Sequence, residues 1–159
     1  MRSSVVVLML LLFTGCGMFD LKTAEPPLDE GTGDPLMMSE VLRAARETTG
    51  ELEYTDCFTD NAVFEYSLEI RRIYGKEKII NMLEFLRPQA SYVDWQTDKA
   101  TKKVEGDLLI FENMPYLIYF DGTLLCSGKA DFHINMGIDW QISYWKDVPD
   151  DYRNSFFEP

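Results

Sequence analysis

Histidine occurs once in this 159-residue chain, as His133, and cysteine three times. A single histidine with no second histidine or cysteine beside it leaves a transition-metal site short of ligands, so neither a metal nor a cofactor is expected. No serine sits in a nucleophile elbow, and no glycine-rich loop leads into a helix in phosphate-binding order. That removes the hydrolases and nucleotide binders which such motifs mark. Basic residues are in the minority, 15 Lys and Arg against 27 Asp and Glu, and apart from Arg71-Arg72 and Lys102-Lys103 they stand singly. A formal charge of −12 without a basic stripe repels phosphate backbones, so nucleic acid is not an expected partner. Also missing is any run of the roughly twenty apolar residues that spans a bilayer.

The longest apolar run, VVVLMLLLF at 5–13, follows Arg2 and is followed by Thr14, Gly15 and Cys16. It has the length and order of a signal-peptide apolar region with a small-residue cleavage site. Phe13-Thr14-Gly15-Cys16 resembles the bacterial lipobox, with Phe13 where Leu is commoner. The resemblance implies diacylglyceryl transfer to the Cys16 thiol, removal of 1–15, and acylation of the new amine. Several acyl chains, each contributing roughly 0.8 kcal/mol per buried CH₂, hold a protein stably at a membrane. Gly17 rather than Asp after the cysteine implies, by enterobacterial sorting, the outer membrane. The expected location is therefore the bacterial cell envelope, lipid-anchored, on the periplasmic or surface side. Residues 16–33 are rich in Pro, Gly and acidic side chains without apolar periodicity, a flexible tether reaching some tens of ångströms at roughly 3.3 Å per residue.

What remains suits one domain, at 34–148, with a tail at 149–159. Asp34-Pro35 reads as a cap with proline at the first helical position. Leu36, Met37, Val41, Ala44, Ala45 and Thr48 then recur at helical spacing, so a helix is expected over 35–48, ended by Gly50. A short second helix over 51–57 buries Leu52 and Cys57 or Phe58, and Thr59-Asp60-Asn61 is expected as a turn. Ala62, Phe64, Tyr66 and Leu68 alternate with Val63, Glu65 and Ser67 as a strand. Gly75 precedes a helix over 76–87 that buries Ile79, Ile80, Leu83 and Leu86, with Pro88 as its stop. Strands are expected at 91–104, 107–120, 123–136 and 139–147, an antiparallel meander.

Asp121-Gly122 between two apolar runs is a two-residue hairpin signal, because both central residues need positive φ. It pairs Phe120 with Thr123 and puts Tyr119/Leu124, Leu117/Cys126, Phe111/Phe132 and Leu109/Ile134 on the core face. Ile118/Leu125, Tyr116/Ser127, Met114/Lys129, Glu112/Asp131 and Ile110/His133 fall on the other, leaving an apolar patch near the turn. For the preceding hairpin a Glu105-Gly106 loop places Asp94, Gln96 and Lys102 inward. A one-residue slip or a bulge, the preferred arrangement, places Trp95, Thr97 and Thr101 there instead.

Phe58-Thr59-Asp60-Asn61-Ala62-Val63-Phe64, Gly75-Lys76-Glu77-Lys78-Ile79-Ile80 and Trp140-Gln141-Ile142-Ser143-Tyr144-Trp145, in this order of elements, resemble the nuclear transport factor 2-like superfamily with its SnoaL-like and ketosteroid-isomerase-like members. The resemblance implies an α+β fold, a cone-shaped curved antiparallel sheet wrapped around helices, with a pocket at the open end. It places Tyr66 where the isomerase branch carries its general base, and a phenol is a poor base at neutral pH. Asp131 is the nearest match to that branch's protonated acid, and the hairpin register turns it outward. His133 shares its face, as a further candidate base. Tyr54, Tyr66, Trp95, Tyr119 and Trp145 are candidates to line a pocket for a small apolar ligand, and homodimers through the sheet face are common in proteins of this kind. Cys57 and Cys126 are left either as free thiols or as a pair. The sequence thus points to an envelope-anchored, non-catalytic domain binding a small apolar ligand or a protein partner. The alternative is a lyase, isomerase or hydrolase acting on a hydrophobic molecule through Tyr66 with Asp131 or His133.

The mature protein is expected to begin at Cys16 and to carry diacylglycerol and acyl mass, while Cys16→Ala carries none. Intact-mass measurement of protein from the bacterial envelope checks this, and an unmodified Cys16 thiol in the wild type refutes the anchor.

Overall fold

A computed structural model describes residues 35–46, 53–66, 71–86, 90–137 and 139–151. The signal peptide, Cys16, the tether, Thr48, Gly50, Leu52, Ser67, Leu68, Arg87, Pro88 and the tail beyond Asp151 lie outside them. Among the described residues, two α-helices and seven strands form a curved, unclosed sheet with the helices in its hollow.

The first helix is shorter than its apolar spacing suggests. α1 spans Met38–Arg46 and buries Met38, Val41, Leu42 and Ala45, one stripe at helical spacing. The helix does not start at Pro35. Pro35–Met37 is a 3₁₀ turn in which Leu36 and Met37 hold left-handed φ of 64° and 53°. A tertiary contact overrides the local helix signal there: the Leu36 carbonyl accepts a buried hydrogen bond from Trp95 Nε1 at 2.8 Å. The expected second helix shrinks to a 3₁₀ turn, Tyr54–Asp56, and Cys57 and Phe58 are both buried after it.

Strand β1, Phe58–Tyr66, runs straight through Thr59-Asp60-Asn61, expected as a turn. These residues bulge instead. Phe58 pairs with Ile142 and Val63 with Tyr144, so β1 spends more residues than its neighbour over the same span. Ala62, Phe64 and Tyr66 then face the hollow, all buried. β2 is Arg71–Tyr74, and Gly75, at φ 95°, turns the chain into α2, Lys76–Leu86, while its N–H donates to the Ala62 carbonyl at 2.8 Å. α2 buries Ile79, Leu83 and Leu86, with Ile80 half-buried.

With β3 at Tyr92–Trp95, β4 at Thr101–Glu105, β5 at Leu108–Phe120, β6 at Thr123–Asn135 and β7 at Gln141–Pro149, the sheet order is β2-β1-β7-β6-β5-β3, and β4 pairs the far part of β5. The meander is antiparallel as expected, but β7 (Gln141–Pro149) returns alongside β1 in parallel, so the sheet is mixed. The strand expected over 91–104 is two strands. β3, Tyr92–Trp95, and β4, Thr101–Glu105, pair with different parts of the thirteen-residue β5, Leu108–Phe120. The turn between β4 and β5 is Gly106-Asp107 rather than Glu105-Gly106, so Glu105 pairs with Leu108 and Lys102 lies over the Phe111 ring at 5.2 Å. A bulge in β5 lets Trp95 face the core, the preferred arrangement.

The Asp121-Gly122 turn has both residues at positive φ, 47° and 72°, and pairs Phe120 with Thr123 of β6 (Thr123–Asn135). One residue further the register slips, giving Ile118↔Cys126, Tyr116↔Gly128 and Met114↔Ala130. It slips back around Asn113 (φ 53°), so Phe111↔Phe132 and Leu109↔Ile134 are as expected. Between these two bulges the faces are exchanged. Met114, Tyr116 and Ile118 are fully buried, while Leu117 and Tyr119 turn to the other side. The apolar patch near the turn is therefore Phe120, Leu124 and Leu125, without Tyr116 or Ile118. Gly128 makes the exchange possible: a Cβ there would lie 2.4 Å from Tyr116 Oη and 2.8 Å from the Val148 carbonyl oxygen. Cys57 and Cys126 are both buried, with no disulfide between them.

Gly128→Ala is expected to push the Tyr116 ring aside and cost roughly 1–3 kcal/mol, as overpacking does. Urea denaturation reads the loss, and an unchanged midpoint shows that Tyr116 is not seated against the glycine.

Candidate functional site in the hollow of the sheet

Alternation along β7 decides what enters the hollow. A bulge at Ser143 sets Ile142 and Trp145 on the concave face, and the alternation then carries Asp147 to the same side. A carboxylic acid thus lands among aromatic rings. Phe132 stacks on Trp145 at 5.8 Å, and Phe64 lies 4.5 Å from Trp145. Trp95 contacts Tyr116, Phe132 and Trp145 at 5.4, 5.5 and 6.3 Å. Asp147 and Tyr116 are both 0% exposed.

Tyr116 Oη donates a buried hydrogen bond to Asp147 Oδ1 at 2.6 Å. Tyr66 pairs with Asp147 across the parallel β1–β7 contact. Asp147 Oδ2 has no hydrogen-bond partner among the described residues, an expense that a native core rarely carries without use. Burial pushes Asp147 up to about 7, against the opposing pull of hydrogen bonds from Tyr116 and the Val148 backbone. The Tyr116 phenol is raised as well, by burial first and then by the nearby carboxylate. The pair is a phenol that stays protonated beside an acid that exchanges its proton near neutrality. Such a pair has the chemistry to donate a hydrogen bond or to pass a proton to a molecule admitted beside it.

Of the residues named from the sequence, Tyr66, Trp95 and Trp145 converge on the hollow and are buried. Tyr54 sits at its side, where its hydroxyl donates to Glu84 of α2. Tyr119 lies on the opposite face, 6.0 Å from Tyr92. Asp131 and His133 are also on the outer face: Asp131 accepts from the Asn113 N–H at 2.8 Å, and the His133 ring lies 4.7 Å from Tyr144. Tyr144 is pushed up to about 12 by burial and by Glu65. No group of three His, Cys, Asp or Glu able to hold a metal occurs among the described residues. Two clefts, of about 540 and 170 Å³, are at the surface, beside the start of α2 and beside Leu124 and Leu125. Asp147 itself escaped the sequence reading, although it stands two residues beyond Trp145 on the same alternating face.

No family model matches the chain, and no curated protein matches it. Solved structures do. A SnoaL-like polyketide cyclase from Shewanella putrefaciens CN-32, described as putative, is 12% identical and covers 97% of this chain and 94% of its own, with a TM-score of 0.50. A protein of unknown function with a cystatin-like fold from Nostoc punctiforme PCC 73102 is 10% identical over 72% of this chain and 87% of its own, with a TM-score of 0.53. The protein described as Rd1NTF2_04 with long sheet is 14% identical over 69% of this chain and 95% of its own, at 0.50. The chain has the nuclear transport factor 2-like cone fold. At these identities the likeness extends to the fold alone.

The raised Asp147 makes the native state hold a proton that the unfolded chain releases above its ordinary value near 3.8. The stability of the neutral carboxyl is therefore complete below pH 4 and is lost as pH climbs toward 7. Asp147→Asn, of similar shape and always neutral, is expected to lack this decline. It should gain on the wild type by a few kcal/mol between about pH 4 and 7, at roughly 1.4 kcal/mol per pKa unit. Urea midpoints across that range check it, and parallel profiles show that Asp147 is ionised throughout.

Proposed function

We propose that this domain binds a small, largely apolar molecule carrying a hydrogen-bond acceptor, such as a carbonyl, in the hollow of its sheet, and that lipid on Cys16 holds it at the bacterial envelope. The observation that carries this reading is Asp147: an acid wholly buried among aromatic rings, bonded to Tyr116 through one oxygen and unbonded at the other among the described residues. Aromatic walls with a few convergent polar groups are the usual make-up of small-molecule sites. Below pH 7 the neutral carboxyl presents a proton to an acceptor. The lipobox-like run at Phe13-Thr14-Gly15-Cys16 supports the anchor. A second copy docked through the outer sheet face belongs to the same reading.

Asp147, pushed up to about 7, favours a second reading, a lyase, isomerase or hydrolase working on a hydrophobic substrate by proton transfer. Asp147 with Tyr66 and Tyr116 is its acid–base group, in place of Asp131 and His133.

Native mass spectrometry of the mature protein, released from its own host in mild detergent, tests the reading. The wild type is expected to carry a small-molecule adduct that Asp147→Leu loses while staying folded, and the same spectrum counts subunits. A wild type with no adduct overturns the binding reading; an adduct kept by Asp147→Leu removes the acid from it.

A further inference from the structure

The hollow is closed. Trp145, Phe132, Tyr116 and Asp147 are all fully buried, so a molecule reaches them only if something moves. The 3₁₀ turn Pro35–Met37 packs against both α2 and β3. Leu36 is 5% exposed and Met37 packs half-buried against the core, so this turn is part of the wall. Its backbone is costly: Leu36 and Met37 are consecutive non-glycine residues at positive φ, 64° and 53°, a conformation that L side chains resist. One buried side-chain hydrogen bond ties the turn to the sheet, from Trp95 Nε1 to the Leu36 carbonyl at 2.8 Å. The same indole ring touches Tyr116, Phe132 and Trp145.

We infer that Pro35–Met37 is a strained cover over the hollow, latched by Trp95, and that ligands enter the hollow when this latch opens. Opening breaks the Trp95–Leu36 bond and lets Leu36 and Met37 return to ordinary backbone angles, so relief of strain offsets part of the lost contact. The latch belongs to a wall of the site, and a ligand seated against the Trp95 ring competes with the closed position. Entry through the cover rests on the binding reading above, whereas the cover's own motion does not.

Two readouts separate these. Hydrogen exchange at the Leu42 and Arg43 amides of α1 reports opening without any ligand. Stopped-flow fluorescence with prodan, a neutral apolar naphthyl ketone, reports entry. Trp95→Phe keeps a ring and removes the donor, and is expected to speed both exchange and prodan association about fivefold to tenfold, as loss of one net hydrogen bond implies. Met37→Asn, a residue that tolerates the left-handed region, is expected to slow both, and it serves as the test if Trp95→Phe does not fold. Tyr92→Phe, on the other face of β3, should change neither. Unchanged exchange in both Trp95→Phe and Met37→Asn overturns the cover. Faster exchange with unchanged prodan association overturns its role as the entrance. Faster exchange in a protein that binds no prodan at any concentration upholds the cover and counts against the binding reading.

Discussion

The phenol of Tyr116 and the carboxyl of Asp147 meet inside the hollow at 2.6 Å, on a spot left open because Gly128 has no side chain. Three strands are bound together by this contact: β5 supplies the phenol, β6 the gap and β7 the acid. The register slip in β5 and β6 exists between Asn113 and the Asp121-Gly122 turn, and it is what faces Tyr116 inward. Without the slip, Leu117 would take the inner position and Asp147 would be an acid in hydrocarbon without its phenol donor. Such a group is costly enough to change the fold around it. The bulges, the glycine, the phenol and the acid are one arrangement.

The two faces of the sheet divide the polar residues between them. On the outer face, Asp131, Lys146, Glu65 and Arg72 lie in register across four strands, with charges alternating in sign. Arg72 bonds Glu65 at 2.7 Å. Opposite charges there stand beside one another on the outer surface, where such a pair contributes little. Inside, one acid among rings has a far larger effect on its own chemistry. For this reason Asp131 and His133, conspicuous in the sequence, end in an ordinary polar surface, while an inconspicuous aspartate occupies the site.

Much of this fold was legible in the residues alone. Helix α2 announces itself through Gly75 and the spacing of Ile79, Leu83 and Leu86. The hairpin turn is marked by Asp121-Gly122, and both ends of the β5–β6 pairing follow from it. The middle does not, because Leu117, Ile118 and Tyr119 are apolar in succession, and alternation carries no information where both faces are greasy. Gly128 was the available signal, since a glycine inside a long strand implies that something approaches closely. The left-handed turn at Leu36 and Met37 had no local signal at all. It is imposed by Trp95, 59 positions away along the chain, and the capping pattern at Asp34-Pro35 points to the opposite outcome. Asp147 was readable by continuing the Trp145 alternation two residues further.

Gly128 also constrains how this sequence can drift. A glycine that accommodates a phenol cannot be exchanged while the phenol stays, and the phenol cannot shrink without stranding the acid it bonds. Acceptable change at positions 116, 128 and 147 is therefore collective. Single steps pass through a clash or an orphaned carboxyl, so these residues should be inherited as a set or replaced as one. Among diverged chains with this cone, the joint state of those three positions would sort lineages that keep a buried acid from those that have filled the space with hydrocarbon.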